Sequence, residues 1–139
     1  MRVELRLVRH GRPPSLRVAD ARDAFAVLRR EARGLDRERF WRLDLDSRRG
    51  LIGYERVSVG SLDASIVTGR EVFKGALLDN ARRVIVAHNH PSGDPRPSVA
   101  DRRLTATLVL AGRLLDVDLD DHLILAGDRY FSFREQKLL

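Results

Sequence analysis

Apolar and charged residues follow patterns along the first part of the chain that predict alternating strands and helices. Residues 2–9 alternate apolar and charged side chains, which is the period-2 pattern of a half-buried strand. Apolar residues then recur at helical spacing from about 19 to 33, and Gly34 follows as a helix terminator. Two strand patterns at 40–45 and 51–59 flank a polar turn, so together they predict a β-hairpin.

The second part of the chain predicts two helices and several short strands. Thr68 begins a capping-box pattern that predicts a helix over 69–81. A β-branched run at 83–88 predicts a buried strand, and a third helix begins after Ser98. This order predicts an α/β fold, a mixed β-sheet flanked by about three helices in a single domain over 1–139. Further short strand patterns close the chain at 116–121, 123–125 and 130–133.

Two histidines stand where the predicted strand 83–88 ends. His88 and His90 are two residues apart. Side chains two apart on a strand point to the same side, so the two imidazoles can converge. Asp101, in the first turn of the next helix, can supply a carboxylate as a third ligand. Two histidines and one carboxylate, with one position left to water, form the pattern of a hydrolytic zinc site rather than a structural one.

A purely structural interpretation of the same segment stays open on the sequence alone. Ser98 and Asp101 have the spacing of a capping box, in which Ser98 caps the helix and Asp101 reaches back to it. The proline and glycine residues that follow His90 can form a turn. Asp94 is a rival metal ligand, but it lies in a Gly-Asp-Pro segment, which is a common turn sequence.

Two further polar residues receive structural interpretations. Asn89 is expected to point away from the two imidazoles on either side of it, because neighbouring side chains on a strand face opposite ways. His122 follows Asp121 near the end of the chain. It is expected to be a core imidazole paired with that carboxylate, with no ligand role.

The spacing of the loop residues is that of a known motif. His88-x-His90, followed after seven residues by Ser98 and after two more by Asp101, matches the JAMM motif of the JAB/MPN metalloproteases. The surrounding sequence, His-Asn-His-Pro-Ser-Gly-Asp and then Pro-Ser-x-x-Asp, resembles that of the RadC branch of the family. The resemblance extends from about 21 to 135 and includes the segments 43–46, 60–62, 70–73, 121–124 and 132–135.

The resemblance implies a fold, a chemistry and roles for five residues. The fold is a single JAB/MPN-like domain, which is similar to that of the cytidine deaminases. The chemistry is hydrolysis of a peptide or isopeptide bond, in a peptide or protein substrate, by a zinc-activated water. The implied ligands of Zn²⁺ are His88, His90 and Asp101. The implied catalytic residues are Glu38, as general base, and Ser98, which helps to stabilise the oxyanion.

Two glutamates compete for the role of general base. Glu71 has a local explanation, because it stands at the far end of the capping box that Thr68 begins. Glu38 has no such local role and stands just before a predicted strand, where the JAMM pattern places its catalytic glutamate. By this resemblance Glu38 is the expected base. Its structural alternative is a solvated charge among neighbouring arginines.

Composition narrows the function classes further. The chain has 139 residues, 43% of them apolar, which is enough to bury a core. No run approaches the roughly 18 apolar residues that a membrane span needs. The first residues lack the apolar core of a signal peptide, so the expected location is the cytoplasm. With no cysteine, any metal ligand must be nitrogen or oxygen, and the cysteine-dependent zinc deaminases are excluded.

The net charge of +6 is concentrated in the front part of the chain. Residues 1–56 carry 15 basic and 9 acidic side chains, whereas 57–139 carry 11 of each. A basic surface can attract nucleic acid, so a DNA-associated RadC-type protein is an alternative function. Full-length RadC proteins carry an N-terminal helix-hairpin-helix segment, for which residues 1–18 are too short, so a JAB/MPN domain without it is expected. A metal-binding interaction module without turnover is the third hypothesis.

Overall fold

A computed structural model describes residues 1–11, 15–57 and 67–139, and in these parts the chain forms a five-stranded sheet and three helices. This arrangement confirms the predicted α/β class with a mixed sheet. The elements are, in chain order, α1 (Ala21–Ala32), β1 (Phe40–Leu45), β2 (Leu51–Arg56), α2 (Gly69–Leu78), β3 (Arg83–Asn89), α3 (Val99–Leu114), β4 (Asp118–Ala126) and β5 (Arg129–Ser132).

The sheet has the strand order β2-β1-β3-β4-β5. β1 is antiparallel to both β2 and β3, which confirms the predicted hairpin. β3 and β4 are parallel, and α3 forms the crossover between them, as parallel neighbours require. One connection, residues 90–98, therefore joins the carboxyl end of β3 to the amino end of α3 at the end of this central strand.

Both faces of the sheet are covered by helices. Trp41, Leu43 and Leu45 alternate along β1 and pack with α1 on one face of the sheet. On the other face, apolar residues of β1 and β3 pack with α2 and α3. β1 is buried along its whole length, so even its charged residues Arg42 and Asp44 need partners inside the fold.

Local signals set the ends of the helices. Asp20, Thr68 and Ser98 each accept a hydrogen bond from the main-chain N–H three residues on, at the start of α1, α2 and α3. For Ser98 the capping box that the sequence predicts is complete. α2 ends at Leu78, three residues earlier than predicted, because Asn80 takes the left-handed conformation (φ 55°) that stops a helix.

The predicted strand at 2–9 is wrong. Residues 1–11 form no helix or strand, and Val3 and Leu5 are 69% and 73% exposed. An alternating pattern forms a strand only where a neighbouring strand satisfies its backbone N–H and C=O groups. Among the residues that the structure describes, no strand pairs with this segment.

The closing strands also differ from their prediction. Residues 118–121 and 123–125 belong to the single longer strand β4, whereas 116 and 117 precede it. The pairing of β4 with β3 continues through His122. A turn with Gly127 at φ 63° leads from β4 to β5. The end of the second predicted strand, at 58–59, and the motif segment 60–62 lie outside the described residues. None of the helices in the described parts of the chain is both long and apolar enough to cross a lipid bilayer.

Candidate metal centre

Two imidazoles meet at the carboxyl end of β3. His88 lies on the strand and is buried, and His90 follows the strand directly. The Nε2 atoms of the two rings are 3.0 Å apart. The main-chain N–H of His90 donates to the carbonyl of Leu125 on β4 at 2.8 Å, so the sheet pairing extends as far as His90. The structure therefore brings together the two histidines that the strand alternation predicts to converge.

Asp101 lies in the first turn of α3, and its carboxylate faces the two histidines. Oδ1 is 3.2 Å from Nε2 of His88, and Oδ2 is 3.3 Å from Nε2 of His90. The same carboxylate accepts the main-chain N–H of Ser98 at 2.9 Å. Burial raises the pKa of the Asp101 carboxyl, but His88 and Ser98 lower it more, so this pKa lies well below its ordinary value. Asp101 thus completes the helix cap and also faces the imidazole pair.

A buried chain of hydrogen bonds, called here the histidine relay, joins the ring of His88 to His122, Thr105 and the main-chain carbonyl of Asp101. His88 Nδ1 is 2.8 Å from His122 Nε2, and His122 Nδ1 is 2.7 Å from Thr105 Oγ1. Thr105 donates its one hydroxyl hydrogen to the carbonyl of Asp101 at 2.7 Å, so it can only accept from His122. His122 is fully buried, and burial lowers its pKa well below the ordinary value, so its ring is neutral.

The hydrogen-bond partners assign the tautomers of the histidines. His122 carries its hydrogen on Nδ1 and accepts through Nε2, so His88 donates from Nδ1. In its neutral form His88 therefore has a lone pair on Nε2, which faces Asp101. His90 Nδ1 lies 2.8 Å from the main-chain carbonyl of Asp94, which can only accept. Neutral His90 consequently also directs its Nε2 lone pair into the cluster.

Lone pairs from two imidazoles and one carboxylate thus converge on the same point. Acceptors 3.0–3.3 Å apart repel one another unless a proton or a metal cation lies between them. Ligand atoms at about 2.0–2.1 Å from a tetrahedral ion lie roughly 3.3 Å from one another. The observed spacings are close to that value, and the donors are nitrogen and oxygen. The arrangement therefore suits a small divalent ion.

Glu38 brings a second carboxylate to this cluster. Its Oε1 is 3.8 Å from Nε2 of His90, and one ligand-capable atom each of Glu38, His88 and His90 lies within 4.8 Å of the others. The antiparallel register pairs Phe40 with His88, and its continuation by two residues sets Glu38 opposite His90. The side chain of Glu38 is 38% exposed, whereas that of His90 is 15% exposed. Glu38 therefore stands at the open side of the cluster.

Asn89 holds the segment that carries Glu38. As expected from the strand alternation, Asn89 makes its contacts away from the two imidazoles. Its side-chain Oδ1 accepts the main-chain N–H of Arg39 at 2.6 Å, and its Nδ2 donates to the carbonyl of Arg37 at 2.9 Å. The buried amide of Asn89 thus fixes the peptide groups on both sides of Glu38. The sequence did not indicate this contact, because it joins residues 50 and 52 positions apart.

Glu71 lies on a different element from this cluster. It sits in the first turn of α2, 3.8 Å from the Nζ of Lys74, and its main-chain N–H donates to Thr68. A cleft of about 130 Å³ beside the histidines is lined by Glu38 and Ser98 among other residues, and Glu71 is not in its wall. The structure therefore places Glu38, and not Glu71, beside the imidazoles.

Asp94 shapes the loop instead of facing the cluster with its side chain. Its carboxylate accepts hydrogen bonds from the guanidinium of Arg96 at 2.6 and 2.9 Å, and these hold the pKa of Asp94 down at about 2. Its main-chain carbonyl orients His90. The turn interpretation of Asp94 therefore agrees with the structure.

His122 differs from its expected pairing. Asp121 accepts a hydrogen bond from the main-chain N–H of His122 at 2.7 Å, whereas the ring of His122 bonds to His88 and Thr105. Sequence reasoning missed these ring partners because they lie 34 and 17 positions away and no local spacing indicates them. The expectation that the imidazole of His122 is buried was correct.

The mixed sheet and its three helices form an α/β domain consistent with the JAB/MPN-like fold, with a cluster of histidines and carboxylates at the end of a central strand. The profile of the RadC-like JAB domain family matches residues 18–138. The chain belongs to that family.

Relatives of this chain carry the name UPF0758 protein. One from Methanosarcina acetivorans is 43% identical over 123 residues, which cover 88% of this chain and 54% of that protein. One from Moorella thermoacetica is 43% identical over 122 residues, or 88% of this chain and 53% of the relative. One from Chlorobaculum tepidum is 37% identical over 134 residues, which cover 96% of this chain and 60% of that protein. The chain thus spans about half the length of the curated relatives it matches.

Proposed function

We propose that this domain is a zinc-dependent hydrolase of peptide or isopeptide bonds. One observation carries the proposal: lone pairs of His88, His90 and Asp101 converge at 3.0–3.3 Å, and a further carboxylate, Glu38, stands 3.8 Å from His90. Membership of the RadC-like JAB family supports the same class of chemistry.

His88, His90 and Asp101 would hold the ion through two Nε2 atoms and a carboxylate oxygen. The two histidines are held in place by partners on their other ring nitrogens, and Asp101 is held by the helix cap. Two histidines and one carboxylate leave a position open for water or substrate. A bound zinc ion would polarise the scissile carbonyl and lower the pKa of a bound water toward about 7.

Glu38 would move the proton in this reaction. At 3.8 Å its oxygen is too far from His90 for a direct hydrogen bond, so the carboxylate stands beside the ligand cluster and remains free to act as a base. It would accept a proton from the attacking water and later donate it to the leaving nitrogen. Its place in the wall of the cleft gives it access to both.

Ser98 would stabilise the negative charge that develops on the substrate carbonyl. Its Oγ accepts the main-chain N–H of Asp101 at 3.0 Å, which leaves its own hydrogen free to be donated. Ser98 lines the same cleft as Glu38, together with the apolar residues Phe40, Val67 and Leu104.

The test is hydrolysis of peptides and isopeptide-linked peptides by the zinc-loaded protein and three variants. Glu38→Gln removes the proton acceptor and keeps the shape, so we expect the rate to fall by about 10²–10⁴-fold while zinc stays bound. Glu71→Gln is the matched control and should hydrolyse at the wild-type rate. Asp101→Asn should lose both zinc and activity.

Three results would count against the proposal. Equal rates for Glu38→Gln and the wild type would remove Glu38 as the base. Loss of zinc in Glu38→Gln, with zinc kept in Asp101→Asn, would make Glu38 the third ligand in place of Asp101. Tight zinc binding without hydrolysis of any substrate tried would favour the alternative of a metal-binding interaction module.

DNA association is not part of this proposal. Several arginines of the basic front part form ion pairs with carboxylates of the fold: Arg9 with Asp79, Arg42 with Asp44, and Arg49 with Asp120. Less of the positive charge is therefore free for phosphate groups than the composition indicates. A binding constant for duplex DNA that falls steeply with salt concentration would revive this alternative.

A further inference from the structure

We propose that His122 and Thr105 are positioning residues for the metal centre, which fix the ring of His88 and the first turn of α3 in the geometry that binds a divalent ion. This inference rests on the proposed function, because it concerns the same cluster. Neither residue would touch the ion. Both would act through the histidine relay.

The relay joins two of the proposed ligands through the interior of the protein. At one end it holds Nδ1 of His88, which lies on β3. At the other end it holds the main-chain carbonyl of Asp101, which lies on α3. His122 on β4 and Thr105 on α3 stand between these ends. A continuous line of hydrogen bonds of 2.7–2.8 Å therefore sets how a ligand on the sheet lies relative to a ligand on the helix.

Packing prevents the ring of His122 from turning. It stacks on Phe133 with 4.9 Å between the ring centroids and 9° between the planes, and Phe40 lies against it at 6.0 Å. Phe40 also stacks on the ring of His88 at 6.3 Å and 5°. A rotated His122 would lose the hydrogen bond at one or both of its nitrogens. Ring orientation and tautomer are thus set together for both histidines.

An imidazole is a costly side chain for this position unless its nitrogens are used. His122 is fully buried between phenylalanines, where an apolar ring would pack without any polar atoms to satisfy. Along the histidine relay each hydrogen bond is donated in the same direction, from His88 to His122 and from His122 to Thr105. This direction leaves the Nε2 lone pair of His88 for a cation. Hydrogen-bond partners of ligating histidines typically change metal affinity by about 10- to 100-fold when they are replaced.

The test is the dissociation constant for Zn²⁺, measured by competition with a chromogenic chelator. Thr105→Val keeps the side-chain shape and removes the hydroxyl, so we expect binding to weaken by about 10-fold or more. Thr105→Ser keeps the hydroxyl and should stay within about threefold of the wild type. Ser132→Ala is the matched control, because Ser132 is a buried hydroxyl that bonds to Asp121 outside the relay. It should keep wild-type zinc affinity even if its melting temperature falls.

Equal zinc affinity in Thr105→Val and the wild type would overturn this inference and leave the proposed function standing. A wild-type protein that does not bind Zn²⁺ would overturn the proposed function itself. If Thr105→Val does not fold, nitrogen NMR of the wild type gives a second readout. The ring of His122 should carry its hydrogen on Nδ1. A hydrogen on Nε2 alone would mean that the hydrogen bonds of the relay are donated in the opposite direction, and this would overturn the inference.

Discussion

One carboxylate serves two purposes at the start of α3. Asp101 closes the capping box with Ser98 and at the same time faces both imidazoles. The cap restricts the rotation of the Asp101 side chain, so the carboxylate is already oriented toward the cluster. The first turn of a helix also favours negative charge, which agrees with the lowered pKa of this group. The capping box is therefore part of the candidate metal centre and not an alternative to it.

Replacing Ser98 by Ala separates the two roles of this serine. Loss of an oxyanion donor raises the barrier by about 2.7–4 kcal/mol, or roughly 10²–10³-fold in rate. Loss of a helix cap lowers the free energy of unfolding by about 0.5–2 kcal/mol. We expect Ser98→Ala to show a large fall in kcat and a small fall in melting temperature, measured on the same preparation.

A glycine at the same position is the control for the cap. Glycine caps a helix nearly as well as serine and has no hydroxyl, so Ser98→Gly should be as slow as Ser98→Ala but more stable. A kcat close to that of the wild type in both variants would limit Ser98 to capping.

At the scale of elements, β3 and the segment before β1 build the open side of the site together. Alternation along β3 sends His88 toward the cluster, while the side chain of Asn89 bonds to the backbone at 37–39. The amide of Asn89 continues the pairing between β1 and β3 past the end of the regular ladder. Glu38 consequently lies opposite His90 without being part of a strand.

Replacing Asn89 by Ala should loosen the segment before β1. The main-chain N–H of Arg39 loses its acceptor, so its hydrogen exchange should become at least about tenfold faster, whereas the amide of Leu43 in the centre of β1 should not change. Asn89→Asp keeps the accepting oxygen and should keep the protection of Arg39. Unchanged exchange at Arg39 in Asn89→Ala would show that other contacts hold Glu38 in place.

The elements of this site were predictable to the extent that local signals set them. The strand alternation gave the convergence of His88 and His90, and the spacing of Ser98 and Asp101 gave the helix cap. The position of Glu38 depends on the register between β1 and β3, which joins residues about 50 positions apart. No local pattern records such a register, and Glu38 was therefore reached only through the family resemblance.

At the scale of the whole molecule, long-range pairing also explains the prediction that was wrong. Residues 2–9 have the alternation of a strand, but their backbone finds no partner strand among the described residues. The opposite case is β1, whose pattern indicates one buried face. The packing of helices on both sides buries its charged residues as well, and Arg42 forms two hydrogen bonds to Asp44, at 2.6 and 2.8 Å.

The buried pair gives the stability of the molecule a pH dependence. Burial raises the pKa of Asp44 to about 6, despite the opposing effect of Arg42. An unfolded aspartate has a pKa of about 3.9, so the folded state binds this proton more tightly. The contribution of Asp44 to stability is therefore full below about pH 4 and is lost as the pH rises through 6. It is on the order of 3 kcal/mol.

Carboxyl-carbon NMR should show Asp44 titrating near pH 6 in the folded protein. Between pH 4 and pH 7 the free energy of unfolding should fall less in Asp44→Asn than in the wild type, because the contribution of Asp44 is absent. A titration midpoint below pH 4 would mean that the ion pair with Arg42 outweighs the effect of burial.

The central claim is that the histidines and Asp101 hold one divalent ion, and zinc stoichiometry tests it most directly. The purified protein is loaded with Zn²⁺, dialysed and analysed for metal, beside a variant in which His88 and His90 are both replaced by Ala. We expect about one zinc ion per chain in the wild type and less than about a tenth of that in the variant. A wild-type protein that retains no zinc, or a variant that retains as much as the wild type, would contradict the account.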